Sequence, residues 1–357
     1  MSTDEALGGI LVATTADKIK ADYFAANQKH ATFLPPERLL TKQYKVSRST
    51  MRRALALLTR RNLVRAEHGR GYRILEKGET SKKIPRIAIL QAAEKSAIHH
   101  GRTSQEIIDA MQRQSLKRKW QVLNIDIGDI NPQAVIADLK DAGIQAVALV
   151  FEDRKIVEAL LKANIPCISL ENSGRELNID YIFQDNYGGA RRATKYLLSR
   201  QHQRIAWVGP INDSYTSFAR WSGARSALIE IGIDFLEDDV ITEFEKLESV
   251  LKKLLSKKNR PKAVLALWES QIIALINVTK KLKLKIGKDI DIIGWSNQTR
   301  YQALKRDIFT KGKMPPMVVW NPDEMAEVAI TRLIAHFENS NINPLHIAVP
   351  AKLVLPK

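Results

Sequence analysis

One short segment concentrates side chains that could contact nucleic acid. Arg48, Ser49, Thr50, Arg52 and Arg53 supply three guanidinium groups and two hydroxyls within six residues. An arginine can donate two parallel hydrogen bonds to a guanine edge, and hydroxyls hydrogen-bond to phosphates or bases. The segment therefore has the chemistry of a DNA-reading surface, provided that its backbone places these groups on one face.

The positive charge of the chain is concentrated around this segment. The 357 residues carry 56 Lys+Arg against 39 Asp+Glu, a formal net charge of +17. Residues 35–75 hold eleven basic residues, opposed only by Glu37 and Glu67. A basic run is often no more than a solvated surface. The order of the side chains has to decide between that interpretation and DNA binding.

A helix is the element that would present these groups together. Met51, Ala54, Leu55 and Leu58 follow helical spacing and predict a buried stripe, which leaves the arginines on the opposite side. Ser47 suits the N-cap of this helix, since its hydroxyl can accept a backbone N–H. The pattern predicts a recognition helix with a cationic outer face.

Flanking elements complete a winged helix-turn-helix. Residues 15–28 have the apolar spacing of a helix, and Pro35-Pro36 opens a second, short helix. After the recognition helix, apolar residues flank a glycine-containing tip within residues 63–75, which predicts a hairpin. A basic hairpin beside a recognition helix is a wing.

Three motifs in this window resemble the DNA-binding domain of the GntR family. They are Leu34-Pro-Pro-Glu-Arg-Leu-Leu, Val46-Ser-Arg-Ser-Thr-Met-Arg-Arg-Ala-Leu and His68-Gly-Arg-Gly-Tyr. The residues expected to bind operator DNA are Arg38, Ser47, Arg48, Ser49, Thr50, Arg52, His68, Gly69 and Arg70. Pro36 replaces a usual Ser, which predicts a lost helix cap. Lys45 replaces a frequent Gly, which predicts backbone strain.

A second domain follows a polar linker. Residues 76–83 contain no apolar side chain and are expected to link a DNA-binding domain, residues 1–75, to a larger domain, residues 84–357. In the larger domain, short buried-strand runs alternate with helical stretches. This alternation predicts an α/β fold with parallel sheets, long enough for two subdomains.

Four segments of the larger domain resemble the effector domain of LacI-type regulators, which is related to periplasmic sugar-binding proteins. They are Asp185-Asn-Tyr-Gly-Gly-Ala, Gln203-Arg-Ile-Ala-Trp-Val-Gly, Arg220-Trp-Ser-Gly-Ala-Arg-Ser-Ala-Leu and Asp289-Ile-Asp-Ile-Ile-Gly-Trp. The resemblance implies two Rossmann-like lobes with a ligand between them, and a homodimer. Ligands in such folds lie beyond the carboxyl ends of the parallel strands.

The loops expected at those strand ends supply the candidate ligand residues. The resemblance places a sugar-binding arginine at Arg220, while Trp268-Glu269 and Ser296-Asn297 stand where the family usually has Asn-Asp and Asp-Asp. The expected ligand-binding residues are Arg102, Arg220, Trp268, Glu269, Ser296 and Asn297. Trp295 is expected in the core, and Trp268 could lie either in the pocket or in the core.

Other function classes find little support in the sequence. The chain lacks a phosphate-binding loop and a His-Glu-x-x-His metal motif. A single cysteine, Cys167, excludes a disulfide framework and fits a reducing compartment. No apolar stretch is long enough for a membrane span, so we expect a cytoplasmic protein without a cofactor or catalytic metal. A periplasmic binding protein would not carry the winged helix, and an architectural DNA binder would not need the larger domain.

The sequence therefore predicts a transcriptional regulator, expected to be a repressor, that binds double-stranded operator DNA as a homodimer. A small carbohydrate is the expected effector, and it would act by favouring one arrangement of the two lobes. An activator, or a regulator that senses a non-sugar metabolite, remains the alternative. The direction of the ligand's effect on DNA binding stays open.

Overall fold

The computed structural model divides into two compact units, Met1–Ile84 and Pro85–Lys357. It describes residues 3–24, 33–60, 63–67, 71–74, 85–92, 101–127, 131–150, 153–171, 177–309, 314–338 and 342–356. The predicted linker, residues 76–83, and the predicted wing tip, His68, Gly69 and Arg70, lie outside this part of the chain.

The first unit is a helix-turn-helix with a two-stranded wing. Its elements are α1 (Thr3–Phe24), α2 (Glu37–Tyr44), α3 (Arg48–Arg60), β1 (Val64–Glu67) and β2 (Gly71–Ile74). The first helix begins earlier than the 15–28 range predicted, and residues 25–28 lie outside the described part of the chain. The wing strands are antiparallel, and the apolar stripe of α3 packs into a core with side chains of α1 and α2.

The turn between α2 and α3 shows both departures noted in the sequence. Pro36 precedes α2 without a side-chain cap. Lys45 ends that helix with φ 51°, in the left-handed region that glycine adopts at less cost. The Ser47 hydroxyl accepts a hydrogen bond from the Thr50 N–H at 3.1 Å, so this side chain caps α3.

The second unit contains two lobes, each built on a sheet of six strands within the described residues. The first lobe has the strand order β13-β7-β6-β5-β3-β4, with every strand pair parallel. Its elements are β3 (Arg86–Ala92), α4 (Gly101–Lys117), β4 (Gln121–Ile127), α5 (Pro132–Asp141), β5 (Ala146–Leu149), α6 (Arg154–Lys162), β6 (Cys167–Leu170), β7 (Asp180–Gln184), α12 (Pro322–Glu338) and β13 (His346–Val349).

The second lobe has the strand order β14-β12-β11-β10-β8-β9. Among the strand pairs that the structure describes in this lobe, β14 with β12 is antiparallel and the others are parallel. Its elements are α7 (Asn186–Ser199), β8 (Ile205–Val208), α8 (Tyr215–Ile229), β9 (Val240–Ile241), α9 (Leu247–Leu255), β10 (Ala263–Ala266), α10 (Glu269–Lys281), β11 (Asp291–Asn297), α11 (Gln298–Asp307), β12 (Met317–Trp320) and β14 (Ala351–Val354).

The chain passes between the two lobes three times. It leaves the first lobe at Asp185, returns at Asn321 and leaves again at Pro350. The core strands are apolar on both faces because helices cover both sides of a parallel sheet, and β5, β6, β8 and β10 are buried at every position. The predicted α/β class and the two-lobed architecture are confirmed.

Several boundaries differ from the prediction. The prediction missed β7, β9, α9, α11, β13 and β14. Ser296 and Asn297 were expected in a loop beyond a strand end, but they belong to β11 and pair in register with Val319 and Trp320 of β12. Within the described residues, no helix is long and apolar enough to cross a membrane.

Candidate functional site

The outer face of α3 is the candidate DNA interface of the first unit. Arg48, Ser49, Arg52 and Arg53 are exposed, and Arg38 is exposed on α2. The buried stripe of α3 faces the core, so these side chains share the solvent side of the helix-turn-helix. Their exposure leaves them available to phosphates and base edges.

One arginine of this face is held in place by the preceding helix. The Arg52 Nε donates to Glu37 Oε1 at 2.9 Å, and the Arg52 side chain remains 71% exposed. The bond uses the Nε–H and leaves the two terminal nitrogens free. A guanidinium oriented in this way can still donate two hydrogen bonds to one base.

The candidate effector site of the second unit is centred on Arg220. This side chain on α8 is 4% exposed. Its Nε donates to Asn186 Oδ1 at 2.9 Å, Nη2 donates to Gln184 Oε1 at 3.2 Å, and Nη1 donates to the Leu267 carbonyl. Burial lowers the pKa of Arg220 to about 9, while the charges of Glu171 and Asp213 oppose the shift.

Two tryptophans enclose the Arg220 guanidinium. Its Cζ lies 4.1 Å from the ring centre of Trp295 and 4.9 Å from that of Trp268, both in the range of cation–π contacts. Trp295 is buried and packs against α7, where a Cβ on Gly189 would come within 2.6 Å of its ring. Trp268 is half-buried. The Arg220 guanidinium thus covers one face of each indole, which leaves less indole surface for a sugar.

Gln184, the last residue of β7, connects the first lobe to this arginine. Its Nε2 donates to Glu171 Oε2 at 2.5 Å, and its Oε1 accepts from Trp295 Nε1 at 2.6 Å as well as from Arg220. Burial raises the pKa of Glu171, while hydrogen bonds from Gln184 and the charge of Arg220 oppose the rise. The network therefore joins residues of both lobes.

The Asn186 Nδ2 and the Ser296 Oγ are buried, and neither has a hydrogen-bond partner among the residues that the structure describes. A buried donor without an acceptor is costly, and its presence in a ligand site is explained when a ligand supplies the missing partner. Asn186 is directly bonded to Arg220, so its free donor lies beside the guanidinium.

A second polar cluster joins the lobes through α4 and α11. Arg300 on α11 forms a two-point ion pair with Glu269 on α10. Asn297 donates to Glu106 on α4, and Arg300 Nε lies 3.9 Å from a Glu106 oxygen. Glu269, which the sequence suggested as an acceptor for sugar hydroxyls, is therefore already paired with an arginine.

Comparisons with known proteins match a segment of each structural unit to a different family. Residues 11–74 match the family described as bacterial regulatory proteins, gntR family. Residues 194–355 match the family described as periplasmic binding protein-like domain. The chain joins a GntR helix-turn-helix domain to a LacI-type, periplasmic-binding-protein-like domain. The resemblances seen in the sequence are thereby confirmed.

Individual relatives agree with this assignment. The HTH-type transcriptional regulator CelR of Thermobifida fusca is 22% identical over 57% of this chain and 59% of its own length. The HTH-type transcriptional repressor PurR of Vibrio atlanticus is 24% identical over 54% of this chain and 60% of its own length. The chain thus spans about 60% of the length of these curated relatives.

A solved structure supports the fold of the LacI-type domain. A LacI family transcriptional regulator from Enterococcus faecium, crystallised with bound ribose, superimposes with a TM-score of 0.59 at 20% identity. The likeness covers 76% of this chain and 97% of that one. At this identity the comparison shows a shared fold.

The structure brings only part of the predicted ligand set together. Arg220 and Trp268 are in contact, whereas Glu269 and Asn297 belong to the cluster around Arg300. Arg102 lies in the first turn of α4, and its side chain is outside the described part of the structure.

Sequence reasoning missed five residues of the LacI-type site. They are Glu106, Glu171, Gln184, Asn186 and Arg300. Asn186 stands inside a motif that carried the family resemblance, so a signal for it existed. The other four acquire their roles from contacts between segments distant in sequence, which no local pattern encodes.

The cluster at Glu106 predicts a pH-dependent stability. Burial raises the pKa of Glu106 to about 7; the charges of Glu269 and Asp109 add to the rise, while the hydrogen bond from Asn297 and the charge of Arg300 oppose it. The folded chain then binds more protons than the unfolded chain, whose carboxyl titrates near 4.5. This contribution to stability is complete below the unfolded pKa and is lost as pH rises through about 7.

Glu106→Gln should remove this dependence, because glutamine keeps an acceptor for Asn297 and cannot ionise. Between about pH 5 and about pH 8, the wild type should lose about 1–2 kcal/mol more unfolding free energy than the variant. Urea unfolding measures the difference. Glu158→Gln, which replaces a half-buried carboxylate of α6 that pairs with Arg154, is the matched control. Identical pH profiles for wild type and Glu106→Gln would contradict the assignment.

Proposed function

We propose that this protein is a transcriptional repressor that binds operator DNA through its GntR domain, as a homodimer, under the control of a small carbohydrate bound by its LacI-type domain. The observation that carries the proposal is the union of these two domains in one chain. A relative named as a repressor and a structural neighbour with bound ribose support the finer assignments.

The GntR domain has the chemistry for reading DNA. The exposed face of α3 offers Arg48 and Arg52 for guanine edges, with Ser49 and Thr50 for phosphates or bases. Ser47 is engaged as a helix cap, so its contribution to DNA binding would be to hold the start of α3 in place. His68, Gly69 and Arg70 of the wing tip are proposed to contact DNA on the basis of the family resemblance.

Arg52→Ala tests the DNA assignment. An operator is first selected from a pool of randomised duplexes, and binding is then measured by fluorescence anisotropy on the operator and on random DNA. If Arg52 reads a base, the variant should lose about 1–3 kcal/mol of operator affinity, while binding to random DNA should change far less.

Arg306→Ala is the matched control for this experiment. It removes one exposed arginine of the LacI-type domain, whose ion-pair partner among the described residues is its neighbour Asp307. Equal losses on operator and random DNA for Arg52→Ala would make Arg52 a phosphate contact. Failure to select any operator would contradict sequence-specific binding itself.

The LacI-type domain has the chemistry for binding a polar, uncharged ligand. Arg220 uses three donors inside the protein and keeps others for ligand oxygens, and Asn186 Nδ2 is a further free donor. Hydroxyl groups on neighbouring carbons of a sugar present oxygen acceptors at a spacing that suits these donors. The ligand must bind the two lobe arrangements with different affinity, because a ligand that bound both equally would not shift the equilibrium between them.

Ser296→Ala tests the ligand site without disturbing the fold. The Ser296 hydroxyl has no hydrogen-bond partner among the described residues, so its removal should leave the unfolding free energy unchanged or slightly raised. A thermal-shift panel of pentoses, hexoses and uronic acids first identifies a ligand. Calorimetry should then show an affinity loss of about 2- to 10-fold for the variant, the value of one neutral hydrogen bond.

The matched control is Ser199→Ala, whose exposed hydroxyl donates to the Tyr196 carbonyl within the described part of the chain. Unchanged ligand affinity in Ser296→Ala would remove Ser296 from the site. A panel in which only charged uronic acids bind would replace the neutral sugar by an anionic one.

A further inference from the structure

A strongly basic surface lies at the end of the second lobe opposite to the candidate ligand site. We define this distal basic surface as residues 252–262 and 280–288. The two segments contain eleven lysines and arginines and no acidic residue. All eleven are exposed except Arg260, which is half-buried. The motifs of the sequence assign no function to this charge.

The fold places the two segments side by side. They lead into β10 and β11, which are parallel neighbours in register from Ala263 and Asp291. The Asp291 N–H donates to the Lys262 carbonyl at 2.8 Å, and Arg260 Nη2 donates to the Asp289 carbonyl at 3.4 Å. The amino ends of the strands therefore gather the charge into one surface.

This surface is remote from the ligand site. The cleft residues stand at the carboxyl ends of the same strands, for example Asn297 at the end of β11. A strand of this length spans about 20 Å, at about 3.3 Å for each residue. The lysines therefore cannot take part in ligand binding at Arg220.

Little of the charge is neutralised within the protein. Among the described residues, Lys281 is the only member of the surface in an ion pair, with Glu248 at 2.6 Å. The nearby carboxylate of Asp291 is bound to Arg200 and His202, and Asp289 accepts the Lys285 N–H. The remaining lysines therefore present their full charge to solvent.

We infer that the distal basic surface binds the phosphate backbone of double-stranded DNA without regard to sequence. The duplex carries one negative charge for about every 1.7 Å of its axis, a density that such a surface matches. The two segments contain no aromatic residue, and their cations are nearly all lysines. Protein interfaces are depleted in lysine and enriched in aromatic residues, so this composition favours DNA over an acidic protein.

The test is the salt dependence of binding by the full chain to a random-sequence duplex. Each phosphate contact contributes about 0.9 to the slope of log affinity against log salt. Lys252→Gln/Lys253→Gln/Lys257→Gln/Lys258→Gln should lower that slope by about 2–4. The variant should unfold at the wild-type temperature because all four side chains are exposed, and Lys→Arg at the same four positions should keep the slope.

A matched control separates a local surface from total charge. Lys117→Gln/Lys140→Gln/Lys155→Gln/Lys162→Gln removes the same charge from exposed helix positions of the first lobe and should change the slope by less than about 1. Equal slopes for the two quadruple variants would overturn the inference. So would a poly-glutamate chain that competes with the duplex as well as an equal charge of unlabelled DNA, since the surface would then accept acidic proteins.

The inference rests on the proposed function only in that the protein encounters double-stranded DNA. The measurement is repeated with Arg48→Ala/Arg52→Ala, which weakens the GntR face. If the distal lysines bind DNA, the slope difference between the quadruple variants should persist in this background. If the slope difference vanishes, the inference fails while operator binding stands. If the difference persists but no operator can be selected, the inference is retained and the proposed function is rejected.

Discussion

Replacing Arg220 by methionine is expected to lower the free energy of unfolding by about 3–5 kcal/mol. The methionine fills the space of the arginine stem but donates no hydrogen bond. The Leu267 carbonyl and the Asn186 Oδ1 would lose their donor, and Glu171 would lose its opposing charge. Removal of one member of a buried charged network is costly because the remaining members stay buried.

Urea unfolding measures this loss, and the same helix offers a control. Arg225 on α8 is exposed and pairs with Asp234, so Arg225→Met should leave the unfolding free energy within error of the wild type. Arg220→Lys should fall between the two, since lysine keeps the charge but lacks the planar fork. An Arg220→Met variant as stable as the wild type would contradict a stabilising role of the network.

Asp180→Asn is expected to cost about 2–4 kcal/mol of unfolding free energy, because Asp180 is the buried acceptor of a second network. Its carboxylate accepts from Arg332 Nε and Nη2 at 2.9 and 3.0 Å and from the Leu345 N–H at 2.6 Å, and it lies 2.9 Å from His336 Nε2. The network fixes α12 and the segment before β13 to the start of β7. Asparagine keeps one acceptor oxygen, but its amide NH2 group would face the donors of Arg332, Leu345 and His336.

The same carboxylate should make the wild type sensitive to acid. Burial alone would raise the pKa of Asp180, but the hydrogen bonds from Arg332, Leu345 and His336 outweigh burial and hold it below its ordinary value of 3.8. The stability it contributes is therefore complete above that value and is lost as pH falls through the lower folded-state pKa. Asp180→Asn should flatten this acid limb in urea unfolding, whereas Asp234→Asn should flatten it far less, because the Asp234–Arg225 pair is exposed to solvent. A variant with the wild-type acid limb would assign the sensitivity to other carboxylates.

The sequence predicted the parts of the fold whose signal is local. The apolar runs of β5, β6, β8 and β10 and the stripe of α3 are visible in a short window, because burial on both faces or on one stripe dictates composition. The strand β7 escaped prediction since it begins and ends on polar residues, Asp180 and Gln184. The helix α11 was missed because it is largely polar and buries little apolar surface.

The same distinction applies to the candidate site. Arg220 could be found because a family motif surrounds it. Gln184 could not, since its importance rests on simultaneous bonds to Glu171, Arg220 and Trp295, which are brought together only by the folded chain. Glu269 fitted the expected chemistry, yet Arg300, thirty-one positions away in the chain, takes up its carboxylate.

The three passages between the lobes have a consequence for folding during synthesis. The segment from β13 to β14 adds one strand to each sheet, beside β7 and beside β12. Neither sheet can therefore be completed until residues 346–354 have left the ribosome. The second lobe, inserted between β7 and α12, can begin to assemble earlier, while the first lobe waits for α12 to return. A nascent chain arrested before residue 346 should thus expose unpaired strand edges on both lobes and depend on chaperones that shield them.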